Sequence, residues 1–290
     1  MSDATRKRFA LVTGAGTGLG FATAKLMASK GWEVYGTHLA SQSPDELRQC
    51  GVVPVVMDVT DESSVKDGCA RLSKEVGDAG LATLVNVAAL AEIAGGVIEG
   101  VSMDRIKALF EVNVFGTLRV VQTFLPLLRA YGPAKIVNVS STATRIPVPF
   151  TGIYSISKFA IMGITNALRF EQAPFGIQVT SIEPGAMDTP MTANHQVNLE
   201  KTWSRMPPHV RELYRPKLGP TLAAMRDGLE KADPPEVLAK LIYKALRAKK
   251  MKMRYVGGRG TSGLVIMQNL LGENLSESIV KSALKLNPGT

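Results

Sequence analysis

Short, uninterrupted apolar runs alternate along this chain with longer stretches whose apolar residues recur at helical spacing. Residues 9–13, Phe-Ala-Leu-Val-Thr, form such a run and stop at a glycine-rich turn, as a strand covered on both faces does. Residues 21–30 have helical composition and end at Gly31. The alternation then predicts strands at 33–37, 52–57, 81–88, 135–140 and 177–182. Between them it predicts helices at 44–50, 61–76 with Asp61 as the cap, 103–131 with a bend at Pro126, and 154–171. Apolar strands alternating with helices imply an α/β fold with a parallel sheet covered on both faces, and right-handed crossovers make it doubly wound. No linker or shift in composition divides residues 1–290, so a single domain is expected.

After Gly185 the pattern loosens. Residues 186–225 hold Pro207-Pro208 and scattered aromatics, Trp203 and Tyr214 among them. An insertion of this length after the carboxyl end of the sixth strand predicts a substrate lobe, a lid that orders over its ligand. A helix at 235–248, a short strand at 253–256 and an amphipathic tail within 261–290 follow.

Composition narrows the picture. The 290 residues are 45% hydrophobic and 20% charged, ordinary for a globular protein with a sizeable core. Cys50 and Cys69 have no metal-binding spacing and no signal peptide precedes them, which points to reduced thiols in a cytoplasmic protein. Three scattered histidines speak against a metal site. No apolar run reaches about 18 residues, so no membrane span is expected. The net charge of +9 gathers at Arg6-Lys7-Arg8 and at 244–254 and reads as solvated surface, since no nucleic-acid motif accompanies it.

Two stretches carry chemistry. Gly14, Gly16, Thr17, Gly18, Leu19 and Gly20 join the first strand to the first helix. Glycines there permit a tight turn and close backbone approach to a pyrophosphate, and the helix N-terminus supplies free N–H groups. Tyr154 and Lys158 stand four apart at the start of a helix and share one face. An ammonium beside a phenol favours the phenolate, so Lys158 is expected to lower the pKa of Tyr154 and fit it for proton transfer to or from an alcohol oxygen.

Together these motifs resemble the short-chain dehydrogenase/reductase superfamily over about residues 7–260, with its Rossmann fold. The resemblance implies an oxidoreductase that uses NAD or NADP to interconvert a secondary alcohol and a ketone. It assigns Asp58 and Val59 to adenine contact, Asn86 and Ala88 to the segment after the fourth strand, and Pro184, Gly185, Met187 and Thr189 to the nicotinamide side. Ser141, with Ser140 as the alternative, joins Tyr154, Lys158 and Asn113 as the catalytic set. Ser141 would orient the substrate oxygen, Lys158 would also bind ribose, and Asn113 would hold a water leading to solvent. Residues 77–81, 182–185, 201–204 and 211–214 are similar to the retinol dehydrogenase and hydroxysteroid dehydrogenase branch. Members of that branch often carry an N-terminal anchor, which is not expected here because the first strand starts near Phe9.

The chain departs from the family pattern in two places. The usual Asn-Asn-Ala-Gly segment reads Asn86-Val87-Ala88-Ala89, which removes hydrogen bonds near the sheet centre and adds a methyl at Ala89. The second strand ends in His38 and Leu39, with neither the acid of many NAD-using members nor the arginine of some NADP-using ones. This leaves both cofactors open, with a lean to NAD. Ile146, Val148, Phe150, Met187 and Trp203 are expected to wall an apolar substrate pocket and so to select a hydrophobic small molecule. Apolar residues on the two long helices (Phe110, Val114, Leu118, Val121; Phe159, Ile161, Met162) predict a homodimer or homotetramer. The competing reading is a non-catalytic nucleotide-binding sensor or scaffold on the same fold.

Overall fold

The first strand, β1 (Phe9–Val12), is buried along its whole length and lies in the middle of the sheet, because none of its four side chains can face water. In the computed structural model, which describes residues 6–91, 95–145, 149–187, 195–229, 232–259, 261–284 and 286, six further strands join it. They are β2 (Glu33–His38), β3 (Val53–Val56), β4 (Thr83–Asn86), β5 (Lys135–Val139), β6 (Gln178–Pro184) and β7 (Arg254–Gly257). The sheet runs β3-β2-β1-β4-β5-β6-β7, and every pairing is parallel. The expected doubly wound fold is present. The order reverses between β1 and β4, and such a switch point opens a crevice at the carboxyl ends of the strands.

Among the described residues, ten α-helices flank the sheet: α1 (Gly18–Ser29), α2 (Asp45–Gln49), α3 (Glu62–Val76), α4 (Met103–Phe110), α5 (Thr117–Tyr131), α6 (Gly152–Glu171), α7 (His195–Ser204), α8 (Pro208–Leu229), α9 (Pro235–Arg247) and α10 (Thr261–Ala283). Helix α3 starts where expected, with the Asp61 carboxylate accepting the Ser63 amide proton at 2.9 Å. Helix α1 packs against α9, and α3 against α5. Leu11, Leu84, Ile136 and Phe124 are fully buried between sheet and helices.

The long central helix is interrupted, but not at Pro126. A π turn, Glu111–Gly116, joins α4 to α5, while α5 runs through Pro126 to Tyr131. By length and hydropathy Met103–Tyr131 is able to cross a membrane. Here its Leu109, Val120, Val121, Phe124 and Leu128 are core residues of the fold.

The surface meant for a partner also differs from expectation. Val114, Val121, Ile161 and Met162 are turned inward and buried. Apolar residues left exposed on these helices include Phe115, Ile156 and Phe159, each about half exposed, together with Met103 and Phe170. A 3.6-residue repeat identifies an apolar stripe but not which side of it meets the sheet.

A buried polar ladder crosses the sheet centre. Asn86 Nδ2 donates to Asn138 Oδ1 at 2.8 Å, and Asn138 Nδ2 donates to Thr165 Oγ1 on α6 at 3.0 Å. Asn138 is wholly inaccessible to solvent, so its partners have no water to replace it. We expect Asn138→Ala to lower stability by about 1–3 kcal/mol. An unchanged thermal midpoint would show that the ladder carries no net stability.

Candidate active site

The crevice at the switch point is a cavity of about 800 Å³. Gly14, Thr17, Gly18, Leu19 and Gly20 form its floor. Gly14 and Gly18 adopt positive φ angles of 63° and 55°, which glycine accepts without strain. A Cβ on Gly14 would stand 2.9 Å from the Ala88 Cα, and one on Gly20 would stand 2.1 Å from the Gly14 carbonyl oxygen. The lining glycines therefore present bare backbone, beside Thr17 and Leu19, which also line the cavity. Thr17 caps α1 without a side-chain hydrogen bond, so no side chain competes for the amide protons of the first turn. Free amide protons beside bare glycine backbone could hold a diphosphate, the ligand that the glycine spacing leads one to expect. Gly16 departs from that expectation. It does not line the cavity, and a Cβ there would meet Gln42 Oε1 at 2.5 Å.

Two hydroxyls hold the floor in place. Thr13 Oγ1 accepts the amide protons of Val87 and Ala88 at 3.0 and 3.1 Å, and Thr37 Oγ1 accepts that of Gly14 at 3.0 Å. Val87, which stands where the family has asparagine, thus satisfies its amide through Thr13, and Ala89 lines the cavity. Asn86 Oδ1 is buried and accepts no hydrogen bond among the described residues. Asn86 lies beneath the cavity and does not line it.

At one end the cavity is lined by His38, Leu39, Gln42, Asp58, Val59 and Thr60. His38 is buried, with Nδ1 2.9 Å from the Leu39 carbonyl oxygen, and Gln42 Oε1 accepts the Leu39 amide proton at 3.0 Å. The Asp58 carboxylate holds the turn that follows it, accepting from Thr60 N at 2.9 Å and Thr60 Oγ1 at 2.8 Å. Gln42 was not expected at the site. Its position four residues past the end of β2 is the only signal for it.

At the other end stand Ser140, Ser141, Tyr154, Lys158, Pro184, Gly185 and Met187. Ser141 and Tyr154 face the same cavity, and the Ser141 hydroxyl is close enough to lower the pKa of the phenol. The Ser140 hydroxyl instead donates to the Lys158 carbonyl oxygen at 3.2 Å, so Ser141 is the serine aimed at the tyrosine. Lys158 is buried, donates from Nζ to the Val139 carbonyl oxygen at 3.0 Å, and lies 5.6 Å from the centre of the Tyr154 ring.

Burial raises the Tyr154 pKa above the ordinary phenol value, and hydrogen bonding by Ser141 draws it back down. The Lys158 ammonium stands 5.6 Å from the centre of the ring and donates a hydrogen bond to the Val139 carbonyl oxygen. Burial also brings Lys158 itself down to about 8.

Asn113 is placed differently from its expected role. It sits in the π turn, buried, with Oδ1 accepting from Leu90 N at 2.7 Å and Nδ2 donating to Leu90 O at 2.9 Å and Ser157 Oγ at 3.1 Å. Its side chain is spent on anchoring the loop after β4 to α6 beside Lys158, and it does not line the cavity. The π turn makes this possible by pushing one residue out of helical register.

The substrate wall was misread. Phe150 and Trp203 do not line the cavity. They meet edge to face at 5.0 Å within a second small core with Val97, Met206, Val210 and Leu222. Trp203 is thus buried by Phe150, with no ligand needed to cover it. Met187 lines the cavity as expected, while Thr189, Ile146 and Val148 lie outside the described residues. Leu90, Ala91, Lys201 and Arg205 are lining residues that sequence reasoning missed. The last two stand four apart on and just after α7, a spacing that shares one helix face.

A family model for short chain dehydrogenases matches residues 8–200. The uncharacterized oxidoreductase YusZ of Bacillus subtilis is 33% identical over 96% of this chain and 99% of its own. Mouse retinol dehydrogenase 5 is 31% identical over 71% of this chain and 65% of its own. A short chain dehydrogenase from Burkholderia cenocepacia, solved in complex with NADP, superposes with a TM-score of 0.70 at 25% identity, covering 98% of this chain and 99% of that one. The chain belongs to the short chain dehydrogenase family of oxidoreductases, in its retinol dehydrogenase and hydroxysteroid dehydrogenase-like branch.

Proposed function

We propose that this protein is an NAD- or NADP-dependent oxidoreductase that interconverts a hydrophobic secondary alcohol and its ketone. One observation carries the reading: a glycine-rich turn fit for a diphosphate and the Ser141–Tyr154 pair open into the same cavity, with Lys158 buried beside them. The family relationship and the NADP complex of the Burkholderia relative support the cofactor class.

The roles follow from the geometry. The turn from Gly14 to Gly20 would hold the diphosphate, and Pro184, Gly185 and Met187 would bound the nicotinamide. A bound nicotinamide supplies the hydride chemistry. Tyr154 gives its proton to the carbonyl oxygen in reduction and takes it back from the alcohol in oxidation. Ser141 shares that oxygen and steadies the phenolate. Lys158 binds ribose hydroxyls and adds positive charge beside the ring. Asn113 positions α6 by tying Ser157 to Leu90. Leu90, Ala91 and Met187 make part of the wall apolar, which suits a hydrophobic substrate. The complete proton-transfer set speaks against a non-catalytic scaffold. Phe115, Ile156 and Phe159 would pair across a two-fold axis in a homodimer or homotetramer.

Tyr154→Phe should lower kcat/KM on aromatic or steroid ketones by about two to four orders of magnitude, with NAD(P)H affinity nearly intact by fluorescence. Retention of more than about a tenth of wild-type activity, less than about 1.4 kcal/mol of barrier, would contradict the role.

Lys158 is charged below about 8 and neutral above it. NAD(P)H affinity should therefore weaken as pH rises through that value, and Lys158→Arg, which keeps its charge, should flatten the curve. The same pH dependence in both proteins would exclude Lys158 as its source.

Light scattering should give two or four times the 31.1 kDa chain mass at micromolar concentration. A monomer mass would overturn the assembly.

A further inference from the structure

Glu183 is a carboxylate with no solvent exposure, and no step of the proton path uses it. It precedes Pro184 and Gly185, which line the cavity. One carboxylate oxygen accepts from Arg145 Nε at 2.5 Å, and the other lies 3.7 Å from Arg254 Nε on β7. Two guanidinium groups explain how a buried charge is tolerated, since an isolated one would cost far more than a fold can spare. They do not explain why one of them comes from residue 145.

Arg145 ends a turn that begins at Ser141. Within it, Ser141 Oγ accepts the Ala143 amide proton at 3.1 Å, and the Ser141 carbonyl accepts the Thr144 hydroxyl proton at 2.7 Å. The turn touches β6 at both ends: Thr142 Oγ1 donates to the Pro184 carbonyl oxygen at 3.0 Å, and Arg145 reaches Glu183. The Arg145 carbonyl also accepts from Gln268 Nε2 on α10 at 2.7 Å. The Ser141 hydroxyl therefore hangs from a short loop whose far end is held by one buried carboxylate and by Gln268.

We propose that Glu183 is a positioning residue for the reaction: through Arg145 it fixes the turn that aims the Ser141 hydroxyl at Tyr154. The catalytic part of this inference rests on the reading of Ser141 and Tyr154 as the proton-transfer pair. Glu183 is faced by Arg145 and Arg254, and Tyr154 by Ser141 and Lys158, and the turn from Ser141 to Arg145 joins the two clusters.

Two measurements on the full chain test it. In hydrogen exchange, Glu183→Gln should speed the Ala143, Thr144 and Arg145 amides by about tenfold or more and leave β4 and β5 at wild-type protection. In the pH profile of kcat/KM, the group assigned to Tyr154 should move to higher pH, because the Ser141 hydrogen bond that lowers it is weakened. Glu183→Gln added to Ser141→Ala should give no further move. Arg145→Gln, which leaves Glu183 with Arg254, should reproduce both effects and stands in if Glu183→Gln does not fold. Faster exchange across the whole sheet with an unmoved profile would make Glu183 a stabiliser only and overturn the proposal. A shift that persists in the Ser141→Ala background would overturn it too. A wild-type protein without oxidoreductase activity would remove the functional reading, while the exchange experiment would still decide whether Glu183 holds the turn.

Discussion

The site depends on how β1 and β4 separate at their carboxyl ends. Because the strand order reverses between them, β1 and β4 send their following segments to opposite sides, so a crevice opens there. Thr13 sets its width by accepting both the Val87 and Ala88 amide protons through one hydroxyl. That brings the Ala88 backbone so near Gly14 that any Cβ on Gly14 would collide with it. Glycine backbone is thereby brought to the crevice, and the first turn of α1 faces it without a side-chain cap. Each of these features needs the others: remove the close approach and the glycine is no longer required, remove the glycine and the approach is impossible.

Burial then sets the chemistry on the other side of the crevice. Taken alone, a lysine four residues after a tyrosine suggests direct charge stabilisation of a phenolate. The folded arrangement is less direct. Lys158 is buried and bound to the Val139 carbonyl oxygen, burial raises the phenol pKa, and Ser141 is the group that lowers it. The chain itself thus supplies a neutral tyrosine with one directed hydrogen bond and a lysine of reduced basicity. Both are suited to a change in proton affinity when a charged ligand arrives.

What the sequence disclosed follows from the range of each interaction. Strand order, the glycine turn and the Tyr154–Lys158 face rest on local periodicity and backbone conformation, and these are written residue by residue. Asn113 was legible as important but not in its role, because the π turn that aims it at Leu90 and Ser157 shows no sequence signature. Phe150 and Trp203 were misassigned for a related reason. Aromatic residues near a site are equally suited to wall a pocket or to pack on each other, and here they pack at 5.0 Å. The inward turn of Val114, Val121, Ile161 and Met162 depends on which side of each helix meets the sheet, a tertiary fact. Lys201, Arg205 and Gln42 reach the cavity from segments whose placement is likewise tertiary.

The central claim is that the glycine cradle and Tyr154 serve one reaction in one cavity. The most direct measurement is isotope transfer: reduced cofactor carrying deuterium at nicotinamide C4 is incubated with a panel of aromatic and steroid ketones, and the product alcohol is analysed for its label. The account predicts deuterium on the carbinol carbon of a single enantiomer. Cofactor binding with no transfer to any ketone, or label appearing equally in both enantiomers, would contradict it.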